Sequence, residues 1–300
     1  MVEADRRLRA AYESCARAAR DHYENFPVAS VLVPPAMRPH VAAVYAFARA
    51  ADDFADEGVR PAHERLRLLD GWLARVRAAG SGAAEPPPAS PGEPANAAEI
   101  FLALGDTIRR RHLPVSLFED LLSAFRQDVE TTRYASWDDL LDYCRRSANP
   151  VGRLVLRLAG HDDARLDRMS DAICTALQLT NFWQDLKVDF DRGRIYLPDT
   201  ERRAHDAHED TLAAGVVSAG WRRAIEAAVR RTRALFDAGR PLCDAVTGRL
   251  RYELRATWLG GVRILQHIER AGGDVVTHRP VLGVADAPWF LWRMATWARR

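Results

Sequence analysis

The chain has 300 residues, 48% of them hydrophobic and 28% charged, which is enough apolar content for a sizeable core and too much for wholesale disorder. Its 43 basic and 41 acidic residues leave a formal net charge of +2, without the basic excess of a dedicated nucleic-acid binder. Four cysteines with no CxxC pair argue against a disulfide scaffold or zinc ribbon and fit a reducing compartment.

Helical spacing of apolar residues begins at 4–20, a charged amphipathic stretch without the apolar region of a signal peptide. It recurs at 36–57 and at 61–79, where Leu66, Leu68, Leu69, Trp72, Leu73 and Val76 gather largely on one side with arginines opposite. Residues 80–96 are rich in Pro, Gly and Ala and predict a flexible surface loop inside a single domain, a domain boundary being the alternative. Helical periodicity resumes beyond it and returns at 116–130, 137–145, 150–159, 164–191, 217–239 and 247–271. Strand-like alternation and Asn-Gly or Asp-Gly hairpin turns are missing, so the expected fold is an all-α domain of many antiparallel helices. The segment from Pro288 to Arg300 carries three tryptophans among basic residues; it either packs on the bundle or lies in a bilayer interface. No run reaches the length of a membrane-spanning helix, so the expectation is a cytoplasmic protein, with peripheral contact at the inner face of the cell membrane as an option.

Two acidic constellations carry the chemistry. In the first, Arg49 precedes Asp52, Asp53, Asp56 and Glu57, with Asp52 and Asp56 one turn apart on one helix face. Such a cluster is either a solvated helix end or a cation site. In the second, Gln178, Asn181, Asp185 and Asp189 fall within an arc of roughly 80° at 100° per residue. Around this stripe stand Ile173, Leu177, Leu179, Phe182, Trp183 and Val188, so it should be partly buried and require counter-charge. Oxygen donors without histidine or cysteine suit Mg²⁺ before Zn²⁺, and Mg²⁺ favours bridging carboxylates to phosphates. Arg49, Arg192 and Arg194 flank the two motifs, and Lys187 is the lone lysine. There is no GxxxxGK[ST] loop, and Gly260-Gly261 and Gly272-Gly273 lack the strand context of a dinucleotide site. His205 and His208 lie in a polar segment that fits a loop or helix start better than a metal site.

Paired DxxxD helices in an all-α chain of this length resemble the squalene/phytoene synthase family, the head-to-head isoprenyl diphosphate synthases. The most specific stretch is Asp185-LKV-Asp189-FDRG-Arg194-Ile-Tyr196-Leu-Pro198, and the resemblance runs from His22 to about Arg279. Within the family, His22-Tyr-Glu-Asn-Phe-Pro-Val28, Ser147-Ala-Asn-Pro-Val-Gly152 and Asn181-Phe-Trp-Gln-Asp185 are most similar to hydroxysqualene synthases of bacterial hopanoid pathways. The chain departs from the wider family at Asn25, Asn149-Pro150 and Gln184, three amide-bearing places that could hold a water.

The resemblance implies an isoprenoid-synthase-type helical bundle around a central cavity. It implies two or three Mg²⁺ ions on Asp52, Asp56, Asn181, Asp185 and Asp189, with Asp53 and Gln178 close by. Arg49, Arg194, Tyr196 and Arg279 would orient the diphosphate, and Tyr143 would sit at the cavity wall. His22, Asn25, Phe26, Tyr45 and Gln184 would line the substrate site; Phe26, Tyr45 and Phe47 either face a passing cation or pack in the core. The implied reaction takes presqualene diphosphate to hydroxysqualene with water as quencher and no NADPH. The product would be handed over to other enzymes of squalene or hopanoid synthesis. Alternatives in the same class are squalene, presqualene diphosphate or phytoene synthesis from two prenyl diphosphates. Outside it stands a non-catalytic lipid-binding or assembly factor.

Overall fold

The structure, a computed structural model, describes residues 2–21, 32–56, 60–82 and 90–297. In chain order the first helices are α1 (Val2–Asp21), α2 (Arg38–Asp56), α3 (Ala62–Gly80), α4 (Ala97–Arg111) and α5 (Val115–Glu130). They are followed by α6 (Trp137–Ser147), α7 (Asn149–Leu158), α8 (Ala164–Gln184), α9 (Leu186–Asp191), α10 (Asp199–Ala204) and α11 (Glu209–Ala213). The last are α12 (Ala219–Gly239), α13 (Leu242–Ala245), α14 (Gly248–Arg270) and α15 (Ala287–Ala295). Among the described residues, β pairing is limited to one isolated bridge between Arg133 and Ile195. Helix α4 is the resumed periodicity beyond the Pro-rich segment. The helices fall into two compact units, Met1–Glu130 with Pro150–Ala164, and Thr131–Asn149 with Arg165–Arg300.

In the first unit α2 packs against α1, α3, α4 and α5. Its buried face is built mostly of alanine, including Ala42, Ala43, Ala46, Ala50 and Ala51, which lets neighbouring helices approach closely. Phe47 projects from that face with no exposed surface. Its ring stacks near Trp72 at 6.1 Å and meets the Phe118 ring edge-on at 5.3 Å. Trp72 donates its indole N–H to the Phe47 carbonyl at 3.2 Å, so a large apolar ring is buried without stranding its polar atom. Phe47 is therefore a core residue and not a wall against which a cation could pass. A buried polar cluster in this unit is matched internally. Tyr12 donates to Asp106 at 2.8 Å, while His40 Nδ1 and Thr107 Oγ1 lie 2.9 Å apart. Burial and the Arg111 charge push His40 below its ordinary value. The far side of the Pro-rich segment is pinned by Glu93, whose carboxylate meets Arg75 at 3.2 Å with both side chains buried.

In the second unit, α8 lies against α12 and α14 through glycines. A Cβ on Gly239 would fall 2.8 Å from the Met169 carbonyl oxygen, and one on Gly261 would fall 2.3 Å from Phe236. The Gly260-Gly261 pair is thus interior to a helix, where at least Gly261 permits close approach. Trp183 is fully buried on α8 and donates to Thr232 Oγ1 of α12 at 2.8 Å. Helix α6 begins with a capping box, Ser136 and Asp139 satisfying each other's backbone N–H groups.

Candidate diphosphate and metal site

Helix α2 leaves one stripe away from the core of its unit. Tyr45, Arg49, Asp52 and Asp53 are half-buried along it, and Asp56 is exposed at its end. Arg49 lies between the carboxylates, 2.8 Å from Asp53 and 3.5 Å from Asp52. The guanidinium thus offsets the repulsion that the i, i+4 spacing creates.

The second motif is not one continuous helix, as the periodicity over 164–191 predicted. Helix α8 ends at Gln184, Asp185 takes φ −101° and ψ 13°, and α9 begins at Leu186. These angles lie in the sparsely allowed bridge region that active-site residues often occupy. Hydrogen bonds from Asp185 N–H to the Asn181 carbonyl and from Asp189 N–H to the Asp185 carbonyl, each 2.8 Å, keep the helical spacing across the break. Gln178, Asn181, Asp185 and Asp189 accordingly remain on one half-buried stripe, flanked by buried Leu179, Phe182, Trp183 and Leu186.

The counter-charge this stripe needs comes from far along the chain. Arg279 donates through Nε and Nη2 to the two oxygens of Asp185. The hydrogen bond to Asp185 and the nearby Asp189 charge hold the guanidinium above its ordinary value. Asn181 donates its amide to Asp185 at 2.8 Å, and Gln184 donates to the Pro280 carbonyl at 2.6 Å. Gln184 thus fastens the segment that carries Arg279. Asn149 is buried, its side-chain oxygen accepting from Thr175 at 2.9 Å. Both amides have structural partners.

Beyond Asp189 the chain turns back through a Schellman motif. Arg194 N–H returns to the Asp189 carbonyl at 2.8 Å and Gly193 N–H to Phe190 at 2.9 Å, with Gly193 at φ 81°. This local turn explains the Asp-Arg-Gly-Arg sequence. It places Ile195 alongside the 131–135 segment, where Ile195 N–H bonds the Thr132 carbonyl at 3.0 Å. Tyr196 stacks flat on Phe182, ring centroids 3.7 Å apart and planes within 5°. Tyr143 and Tyr134 complete a four-ring cluster, with Tyr143 6.2 Å from both Phe182 and Tyr196. Tyr143 is buried within it. Sequence reasoning missed Tyr134 and Phe182, because nothing local marks a ring whose partners in the cluster come from other elements, Tyr134 meeting Tyr143 and Tyr196, and Phe182 meeting Tyr143 and Tyr196.

His22, Asn25 and Phe26 lie outside the described residues, as does Glu57. His205 sits 3.1 Å from Glu201, and His208 precedes α11. Among the described residues no three His, Cys, Asp or Glu side chains gather closely enough to ligate a metal without movement. The donor chemistry nevertheless fits a hard divalent cation: two carboxylates and an amide oxygen share one stripe, and Asp185 already binds a positive group.

A profile of the squalene/phytoene synthase family matches residues 19–286. The hydroxysqualene synthase of Zymomonas mobilis is 41% identical over 217 residues, covering 71% of this chain and 67% of that protein. That of Sinorhizobium fredii is 35% identical over 233 residues, covering 77% and 74%. The 15-cis-phytoene synthase of Synechococcus elongatus is 28% identical over 284 residues, covering 91% and 88%. Among solved structures, squalene synthase HpnC from Alicyclobacillus acidocaldarius is similar at 42% identity and a TM-score of 0.79, covering 88% of this chain and 95% of that one. A dehydrosqualene synthase in complex with ligand, 19% identical, superposes at a TM-score of 0.82 over 99% of both chains.

Proposed function

The chain belongs to the squalene/phytoene synthase family, and from that premise we propose that it converts presqualene diphosphate to hydroxysqualene. It is an isoprenoid synthase acting on prenyl diphosphates, and its fold is that of the squalene synthase type. Dependence on a divalent metal is general in this family. The observation that carries the finer reading is the ordering of relatives. Proteins named hydroxysqualene synthase match at 35–41% identity and phytoene synthases at 28%.

Asp52, Asp56, Asn181, Asp185 and Asp189 are assigned to hold Mg²⁺, with Asp53 and Gln178 in support. Bound there, the cations would neutralise the diphosphate and stabilise it as a leaving group. The chain's own groups do the rest. Arg49, Arg194 and Arg279 present guanidinium nitrogens to phosphate oxygens in the bidentate fashion that suits them. Tyr45 lies on the same helix stripe as Arg49 and Asp52, and half-buried Tyr196, packed on the buried rings of Tyr143 and Phe182, stiffens the segment bearing Arg194. An apolar, water-poor surround protects the cation formed on departure until one positioned water captures it. His22, Asn25 and Phe26 remain assigned to the substrate site by resemblance alone. Gln184 acts on substrate through Pro280 and Arg279, by fixing the backbone from which Arg279 reaches the site. No NADPH is required, and the product passes to other enzymes of squalene and hopanoid synthesis.

The runner-up is squalene formation from two farnesyl diphosphates, favoured by the name of the solved relative from Alicyclobacillus acidocaldarius. One incubation separates the two. Purified protein with Mg²⁺ and presqualene diphosphate, without reductant, should yield a C30 alcohol carrying oxygen from H₂¹⁸O. Squalene formed only with NADPH, or an alcohol without the label, overturns the proposal.

A further inference from the structure

The segment that carries Arg194 and Tyr196 runs between α9 and α10 without a helix of its own. Its backbone groups must find partners elsewhere in the chain or in water. The 132–135 segment supplies several. Ile195 N–H bonds the Thr132 carbonyl at 3.0 Å, Asp199 N–H the Tyr134 carbonyl at 2.9 Å and Thr200 N–H the Ala135 carbonyl at 3.2 Å. Tyr134 also stacks near Tyr196, ring centroids 5.8 Å apart.

Arg133 acts on one peptide unit, the one joining Gly193 to Arg194, which is bonded at both ends. Its N–H reaches the Asp189 carbonyl at 2.8 Å, and its carbonyl accepts from Arg133 Nη1 at 2.6 Å. The same Nη1 donates to the Thr132 carbonyl at 2.9 Å. Glu209, 76 residues away, holds the rest of the guanidinium: Nε and Nη2 donate to its two carboxylate oxygens at 3.2 and 3.0 Å. Arg202 donates to Glu209 at 2.9 Å and also to Asp199, so that carboxylate is itself anchored. The hydrogen bond from Arg133 keeps the Glu209 carboxyl below its ordinary value, so the pair is ionised near neutral pH. Gly193 is exposed, and water could satisfy its carbonyl; Arg133 and Glu209 are both about a third exposed. The contribution of these bonds to global stability is therefore small. What a guanidinium locked in a fork fixes is the plane of that peptide, and with it the direction in which Arg194 leaves the chain.

We propose that Arg133, oriented by Glu209, is a positioning residue for the diphosphate: it fixes the Gly193–Arg194 peptide so that the Arg194 guanidinium is presented to phosphate oxygens before they arrive. This rests on the assignment of Arg194 to the diphosphate, and not on which product is formed. All four hydrogen bonds of Arg133 go to protein acceptors, so it acts through Arg194. A backbone ordered in advance need not be ordered when the anion binds, and losing that order weakens binding.

Calorimetric titration of the full chain with inorganic pyrophosphate in the presence of Mg²⁺ tests the proposal. Arg133→Met should bind pyrophosphate about tenfold more weakly than the parent, with an unchanged circular dichroism spectrum. Arg133→Lys keeps the charge but not the fork, and should fall with Arg133→Met. Glu209→Gln leaves Arg133 in place but slackens its hold, and should lose affinity in the same direction even if Arg133→Met does not fold. A double-mutant cycle separates positioning from a general structural role. In an Arg194→Gln background, Arg133→Met or Glu209→Gln should weaken binding no further, because the group being positioned is gone. Full additivity in that cycle, or parent-like affinity in Arg133→Met, Arg133→Lys or Glu209→Gln, would overturn the proposal and leave the diphosphate site standing. Parent-like affinity in Arg194→Gln would overturn the assignment of Arg194 to the diphosphate, and the proposal with it.

Discussion

Arg279 grips both oxygens of the Asp185 carboxylate across 94 residues of sequence. Asp185 is the residue at which the α8–α9 helix breaks. A divalent cation assigned to Asp185 must compete with that guanidinium, which is then free to turn toward a diphosphate. Arg279→Gln should therefore bind Mg²⁺ more tightly in calorimetric titration without substrate. The gain should be about tenfold, the scale of one charge-assisted hydrogen bond. Its KM for the diphosphate substrate should rise. Unchanged Mg²⁺ affinity would show that the pair does not gate the cation.

Asp52→Asn and Asp185→Asn should each lower kcat by about 10²–10³-fold while the far-ultraviolet circular dichroism stays that of the parent. Asp52 is half-exposed beside Arg49, so its loss leaves no buried charge stranded. Near-normal turnover in either folded variant would remove that carboxylate from the site.

Gly261→Ala should destabilise the protein by about 1–3 kcal/mol through overpacking. The added methyl would meet Phe236 and Leu177, both side chains of the packed α8, α12 and α14 faces. Gly260→Ala, whose Cβ would meet Leu282 at an ordinary 3.7 Å, is the control and should be close to neutral. Thermal midpoints of the two variants check the contrast.

Asp286 gives the stability a defined acid limb. Hydrogen bonds from Gly283 N–H and from Arg263 and His267 hold its carboxyl down at about 2, against an ordinary value near 4. A depressed carboxylate stabilises fully above its unfolded value, and that contribution is lost as the pH falls from about 4 toward about 2. Asp286→Ala strands the buried Arg263 and should cost about 3–5 kcal/mol at neutral pH. The difference from the parent in chemical denaturation should shrink across that acid window.

His40 acts in a higher window. Its folded value lies below the ordinary one, so its contribution is complete above about 6.5 and erodes as the pH falls below it. His40→Gln should flatten the stability profile between about pH 6.5 and 5. A slope identical to the parent's would assign that limb to other groups.

Helical content, the Mg²⁺-type oxygen donors and the partial burial of the 178–189 stripe were legible because each depends on residues a turn or two apart. Gln178, Asn181, Asp185 and Asp189 share a face whatever the rest of the chain does, since 3.6 residues per turn fixes it. The Schellman turn after Asp189 is equally local, as it needs only a glycine able to take a positive φ. The tertiary structure decided what the period could not. Phe47 faces the core because Trp72, Phe101 and Phe118 arrive from three other helices. Gln184 bonds Pro280, and Arg279 supplies the charge that Asp185 requires. The helix breaks at Asp185 although its sequence favours continuation. Such pairings join positions far apart in the chain, and no periodic pattern encodes which distant guanidinium will reach a given carboxylate.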